Sequence, residues 1–196
     1  LNLTLRICAL GQASAMSQEM FQGRITPVAA SAFVGLLSLF NMAGRFVWAT
    51  TSDYIGRKNT YFVFFILGIL LYAFVPSTAK MGSTLLFVLC YGIILSMYGG
   101  GFATIPAYLR DIFGVQYVGA IHGRLLTAWS AAGVFGPVLV NYIRQYQIDS
   151  GVAKADAYTI TMYIMAGLLF IGLLCNLAVR PVAERHFAAG SKQPAQ

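Results

Sequence analysis

Charge is what this 196-residue chain has least of. Asp, Glu, Lys and Arg together make up 10%, against about 25% in a soluble domain. Hydrophobic residues account for 58%, and a soluble fold this apolar would expose large patches and aggregate. A soluble enzyme, a secreted disulfide scaffold and a disordered chain are therefore disfavoured. Cysteine is scarce as well: Cys8, Cys90 and Cys175 lie far apart, with neither a C-x-x-C pair nor a His/Cys cluster at metal-ligand spacing. They read as small buried hydrophobes, and no metal or cofactor is expected. His122 and His186 stand alone near loop ends. A phosphate-cradling loop ending in Gly-Lys-Ser/Thr is missing, and no βαβ unit surrounds Gly99-Gly100-Gly101. No constellation suits covalent catalysis, so the chain is not read as an enzyme and no catalytic residue is assigned.

What the chain does have is long uncharged runs. Arg24 to Arg45, Lys58 to Lys80, Lys80 to Arg110, Arg124 to Arg144 and Asp156 to Arg180 enclose 20, 21, 29, 19 and 23 uncharged residues. At about 1.5 Å per residue, roughly 20 apolar residues cross a hydrocarbon core of about 30 Å. The short alternating segments of a membrane β-barrel are not seen. The stretch 1–20 holds Arg6 and Glu19 and lacks the marks of a signal peptide. It reads as a further span truncated at its start, which makes the chain a fragment whose missing portion lies upstream.

The expectation is an all-α membrane protein, a six-transmembrane-helix bundle over residues 1–187. Its spans fall near 1–20, 27–50, 59–79, 83–109, 120–143 and 157–179, and 188–196 is expected to be a disordered tail. Loops alternate sides, so Arg57, Lys58, Arg110, Arg180, Arg185 and Lys192 share one face, and Arg24, Lys80, Arg144 and Lys154 the other. The richer face is expected to be cytoplasmic. This also explains the net charge of +7: the basic residues sit in loops near lipid headgroups, with no basic stripe for nucleic acid. Membrane lipids are expected partners; nucleic acid is not.

Polar residues inside spans are costly, about 2.5–3.5 kcal/mol for an ionised one at mid-membrane. Arg45 is the leading case, eight residues before Asp53. It either snorkels to the cytoplasmic surface or pairs with a loop carboxylate, or it faces a water-filled path, where its planar fork would suit a carboxylate. Asn41 is one turn earlier on the same face, and Gln12 lies in the first span. Either could touch a substrate or serve as helix–helix glue. Trp129 could wall a cavity or fill a packing gap. Tyr91 and Tyr98 share a face, with core packing the simpler reading. Gly99, Gly100, Gly101 and Pro106, and then Gly133, Gly136 and Pro137, permit close packing or bending.

Asp53-Tyr54-Ile55-Gly56-Arg57-Lys58 resembles the major facilitator superfamily loop signature G-x-x-x-D-R-x-G-R-R/K. Asp53, Gly56, Arg57 and Lys58 match, while Ala49 replaces the leading Gly and Tyr54 the first Arg. Gly11-Gln12-Ala13-Ser14, Asn41 to Arg45, and Gly123 to Ser130 are similar to the oxalate/formate antiporter-like family within it. That resemblance covers nearly the whole chain and implies the C-terminal half of a twelve-helix fold, so a missing N-terminal six-helix half becomes an expected partner. It implies a multi-pass transporter of the cell membrane, taken as the bacterial inner membrane, with a cytoplasmic C-terminus.

By resemblance, Arg45 corresponds to the anion-holding Arg of the family's oxalate exchangers, and their second cation, a Lys in the eleventh helix, is missing. One cation suits a monocarboxylate better than a dianion. The expected function is secondary transport of a small carboxylate by alternating access, with Arg45, Asn41, Gln12 and Trp129 binding substrate. Asp53, Gly56, Arg57 and Lys58 would control the conformational equilibrium. A pore-forming channel subunit and a non-functional fragment are the alternatives. Reporter fusions after Lys80 and after Gln196 are expected to report opposite sides of the membrane; both on one side would break the six-span arrangement.

Overall fold

The computed structural model describes residue 19 and residues 26–153 and 156–180. Apart from Glu19, the expected first span lies outside the described residues, as do Gln12 and the tail 188–196. Within them are five long helices: α1 (Pro27–Ile55), α2 (Arg57–Lys80), α3 (Thr84–Phe113), α4 (Val118–Asp149) and α5 (Thr159–Ala178). All five are long and apolar enough to cross a membrane. Several run beyond the uncharged gaps, because a helix satisfies its own backbone past the hydrocarbon edge, where charged side chains reach water.

Local chemistry explains the ends. Pro27 opens α1 behind Thr26, whose Oγ1 accepts from the N–H of Ala29 at 3.2 Å. Ser83 caps α3 through the N–H of Leu86. Gly56 closes α1 at φ 85°, a conformation that glycine adopts without steric cost. It lets the chain reverse straight into α2.

Packing follows two seams. α1 and α3 pack most extensively and run parallel, and α2 and α5 form the next largest contact. In the first seam Phe33, Leu37, Asn41 and Gly44 of α1, close to one per turn, meet Phe87, Tyr91, Leu95 and Gly99 of α3. The rings of Phe33, Phe87 and Tyr91 cluster with centroids 4.7–6.3 Å apart. A Cβ added at Gly44 would overlap the carbonyl oxygen of Ser96, and one at Gly99 the carbonyl oxygen of Asn41. The backbones thus touch where neither helix carries a side chain. The second seam is antiparallel, with Phe65 against Gly172 and Leu169 against Gly68.

Half of the most apolar stretch of α3 is buried, against 6% of that of α4. α3 is therefore the central post, and α4 stands at the rim with Val134, Phe135, Val138 and Tyr142 exposed. Pro76, Pro106 and Pro137 interrupt α2, α3 and α4 internally, each withholding one backbone donor. Gly99→Ala is expected to destabilise the bundle by about 1–3 kcal/mol, as overpacking does. Gly35→Ala, which meets open space, should leave it unchanged. Thermal midpoints of the two detergent-solubilised variants check this; equal midpoints would refute the close seam.

Candidate functional site

Gly44 lies in the α1–α3 seam, so Arg45, rotated by about 100°, emerges at its edge. Its guanidinium carbon lies 5.7 Å from the ring centroid of Phe102 on α3. Phe102 in turn packs on Trp129 of α4, centroids 4.5 Å apart and planes tilted by 36°. Arg45 is ten residues from the end of α1, Phe102 eleven from the end of α3, and Trp129 eleven from the start of α4. At 1.5 Å per residue, all three lie roughly 15–17 Å from the helix ends that share the Gly56 turn. Three helices thus bring a cation and two aromatic rings to one depth.

The cation is under-compensated. Arg45 is half-buried, and its Nε is buried without a hydrogen-bond acceptor among the described residues. None of the carboxylates that form ion pairs among the described residues pairs with it. The Phe102 face supplies about 0.5–2 kcal/mol of cation–π attraction and gives the buried Nε–H no acceptor among the described residues. A guanidinium carries five N–H donors in a rigid fork. This arrangement can take up a carboxylate, and the rings beside it can cover an apolar group.

The other expected wall residues divide. Trp129 is half-buried and borders a cavity of about 250 Å³ between α3 and α4, with Ile105, His122, Leu125 and Ala128. Asn41 is 2% exposed, and its amide donates to the carbonyl of Leu95 at 3.3 Å. It therefore sits inside the α1–α3 seam while Arg45 stands at the rim. Tyr91 is buried in the core with its hydroxyl 3.8 Å from the sulfur of Met162. Phe102 was not singled out from the sequence, where it follows three glycines without a distinguishing pattern.

A second cluster occupies the face of the Gly56 turn. Arg57 Nη1 lies 2.5 Å from Asp53 Oδ1 and donates to Ser52 Oγ at 2.8 Å. Asp111 at the end of α3 adds a longer ion pair, with Oδ2 3.8 Å from Arg57 Nε. Lys58 Nζ donates to the carbonyls of Leu177 (3.3 Å) and Val179 (2.8 Å), groups left unpaired at the end of α5. Asn176 closes the clasp, donating to the carbonyl of Lys58 and accepting from the Tyr108 hydroxyl. α1, α2, α3 and α5 are thus tied at one face by the expected loop residues together with Asp111, Tyr108 and Asn176. Sequence reading left those three out because nothing in a single helix shows which neighbour it meets.

At the opposite face Arg144 of α4 forms a bidentate ion pair with Glu19, its Nε donating to Oε2 at 2.9 Å. Its guanidinium carbon lies 5.8 Å from the ring of Tyr158.

Comparison with known proteins places the chain in a family. Residues 7–195 match the model of the Major Facilitator Superfamily. The chain belongs to that superfamily. It is a multi-pass membrane protein of a transporter family, not an enzyme. Among relatives, the oxalate:formate antiporter of Oxalobacter formigenes is 33% identical over 103 residues, 53% of this chain and 24% of that protein. The apicoplast pyruvate carrier 1 of Toxoplasma gondii is 24% identical over 155 residues, 76% of this chain and 26% of that protein. The chain thus spans about a quarter of the length of these superfamily relatives. No solved structure matches it significantly.

The position of Asn41 separates packing from binding. Asn41→Ala is expected to lower the amount of folded protein, with a loss of about 0.5–1.5 kcal/mol for one hydrogen bond. The KM of the protein that reaches the membrane should be unchanged. A raised KM at normal yield would return Asn41 to the binding wall.

Proposed function

We propose that this chain is the C-terminal six-helix half of a secondary transporter that moves a small organic anion, preferentially a monocarboxylate, by alternating access. The observation that carries this reading is the half-buried Arg45 guanidinium, far from either helix end, lying on Phe102 with its buried Nε unpartnered among the described residues. Charge balance supports a monoanion: the next cation along α4, Arg124, is exposed and five residues closer to the Gly56 face than Trp129. Both relatives are named for small carboxylates, oxalate and formate in one and pyruvate in the other.

In this reading Arg45 holds the carboxylate and Trp129 covers the rest of the molecule. Gln12, expected in the first span, completes the wall, and Asn41 is reassigned to helix packing. Asp53, Gly56, Arg57 and Lys58, with Asp111, set the balance between the two access states by tying helix ends together at one face. An N-terminal bundle supplies the opposing wall, and rocking of the two halves exposes the site alternately. The protein sits in the bacterial inner membrane among lipids, with the Arg57 face and the C-terminus toward the cytoplasm, as the excess of cations there supports. Glu19, the acid of the first stretch, is neutralised by Arg144, which favours anion exchange over proton coupling through this half.

The test uses the full-length protein in proteoliposomes with labelled formate, pyruvate and oxalate. Arg45→Gln is expected to cut kcat/KM at least tenfold, about the value of hydrogen bonds to a charged group. Arg45→Lys should retain part of the activity, because it keeps the charge and loses the fork. Formate or pyruvate should be taken up in preference to oxalate. Unchanged transport by both variants would remove Arg45 from the site.

A further inference from the structure

The cavity beside Trp129 has a direction. Trp129 is eleven residues from the start of α4 and His122 four, so the two lie about 10 Å apart along the helix. His122, Leu125 and Trp129 are spaced to share one face of α4, and Ile105 follows Phe102 by three on α3. The cavity therefore extends from Trp129, whose ring packs on Phe102, toward the Gly56 face. Its volume of about 250 Å³ equals that of roughly eight waters in the liquid, ample for a carboxylate of a few carbons.

Its border is apolar except at one point. Ile105, Leu125, Ala128 and Trp129 carry no charge, and His122 adds a half-buried imidazole at the end nearer the Gly56 face. His122 Nδ1 is buried and has no hydrogen-bond partner among the described residues. A histidine serving only to hold structure ordinarily fixes its ring through such a bond, and leaving a buried polar atom unpaired is unfavourable. We infer that His122 is an entry contact for the transported anion: its imidazole N–H donates to the carboxylate at the mouth of the α3–α4 cavity before or after the anion occupies Arg45. The apolar border favours a small carboxylate with an apolar body over a bare dianion. This inference rests on the reading of Arg45 as the anion site.

Pyruvate serves as the probe, with the full-length protein in proteoliposomes treated with diethyl pyrocarbonate. In the wild-type protein, saturating pyruvate should lower carbethoxylation of His122 several-fold, while labelling of His186 provides the reference. His122→Ala should raise the KM for pyruvate about tenfold, the value of a hydrogen bond to a charged group, with kcat little changed. His122→Gln, which keeps a donor, should recover most of the loss. If His122→Ala fails to reach the membrane, the glutamine variant and the labelling of the unaltered protein decide. Labelling of His122 that ignores pyruvate, with uptake intact and wild-type KM in the variants, overturns the entry contact and leaves Arg45 as the site. No uptake of formate, pyruvate or oxalate by the wild-type protein removes both.

Discussion

Everything near the centre of this bundle depends on how closely α1 and α3 approach. Gly44 against the backbone of Ser96, and Gly99 against that of Asn41, leave no space for a Cβ on either side. Such contact fixes rotation and register together, since two helices touching through backbone can neither slide nor turn without overlap. Arg45 follows Gly44, and Phe102 follows Gly99 by three residues. The pairing of guanidinium and ring is therefore a consequence of the seam. Trp48 reinforces the register from the same edge, its indole N–H donating to Ser96 Oγ at 3.2 Å while its ring meets Phe64 edge-on.

That seam also divides the polar residues of α1 by role. Asn41 and Arg45 are one turn apart, which on an isolated helix places them on one face. A turn of four residues advances about 40° beyond a full circle, and in a contact this narrow that difference decides the outcome. Asn41 falls opposite Gly99, where its amide reaches the carbonyl of Leu95. Arg45 falls outside the line of contact, where a long side chain can lie over an aromatic ring. The same fixed geometry lets α3 serve several neighbours: α1 through its glycines, α2 through the Tyr61 hydroxyl donating to the carbonyl of Gly101 at 2.6 Å, and α4 through Phe102.

Composition and charge spacing made the helical spans legible, because hydrocarbon thickness is a strong constraint that a single chain must satisfy alone. The signature from Asp53 to Lys58 was legible for a related reason: a tight turn with its charges is local. What could not be read was the interhelical pairing. Phe102 and Asp111 gain their roles from Arg45 and Arg57, which are more than fifty residues away. Arg57 could be matched to the signature, but its neighbour on α3 could not. His122 stands alone near a loop end in the sequence, where one histidine in an apolar stretch has no pattern, and only the cavity beside it gives its position meaning. Asn41 shows the converse, a residue whose spacing suggested one environment and whose register put it in another.

Comparison among the arginines bears most directly on function. Three of those described are half-buried, and two show how this chain compensates a structural guanidinium. Arg57 sits among Asp53, Asp111 and Ser52. Arg144 holds Glu19 through two nitrogens and lies near the Tyr158 ring. Each of the two is near a helix end, where water already lowers the cost of the charge. Arg45 lies deeper than either, where that cost is greatest, and among the described residues it has only the face of Phe102. A purely structural cation at that depth would need its carboxylate more than the other two need theirs. Under the proposed reading, the counter-charge arrives with the anion that Arg45 binds, and a permanent Asp or Glu beside it would compete with that anion for the same donors.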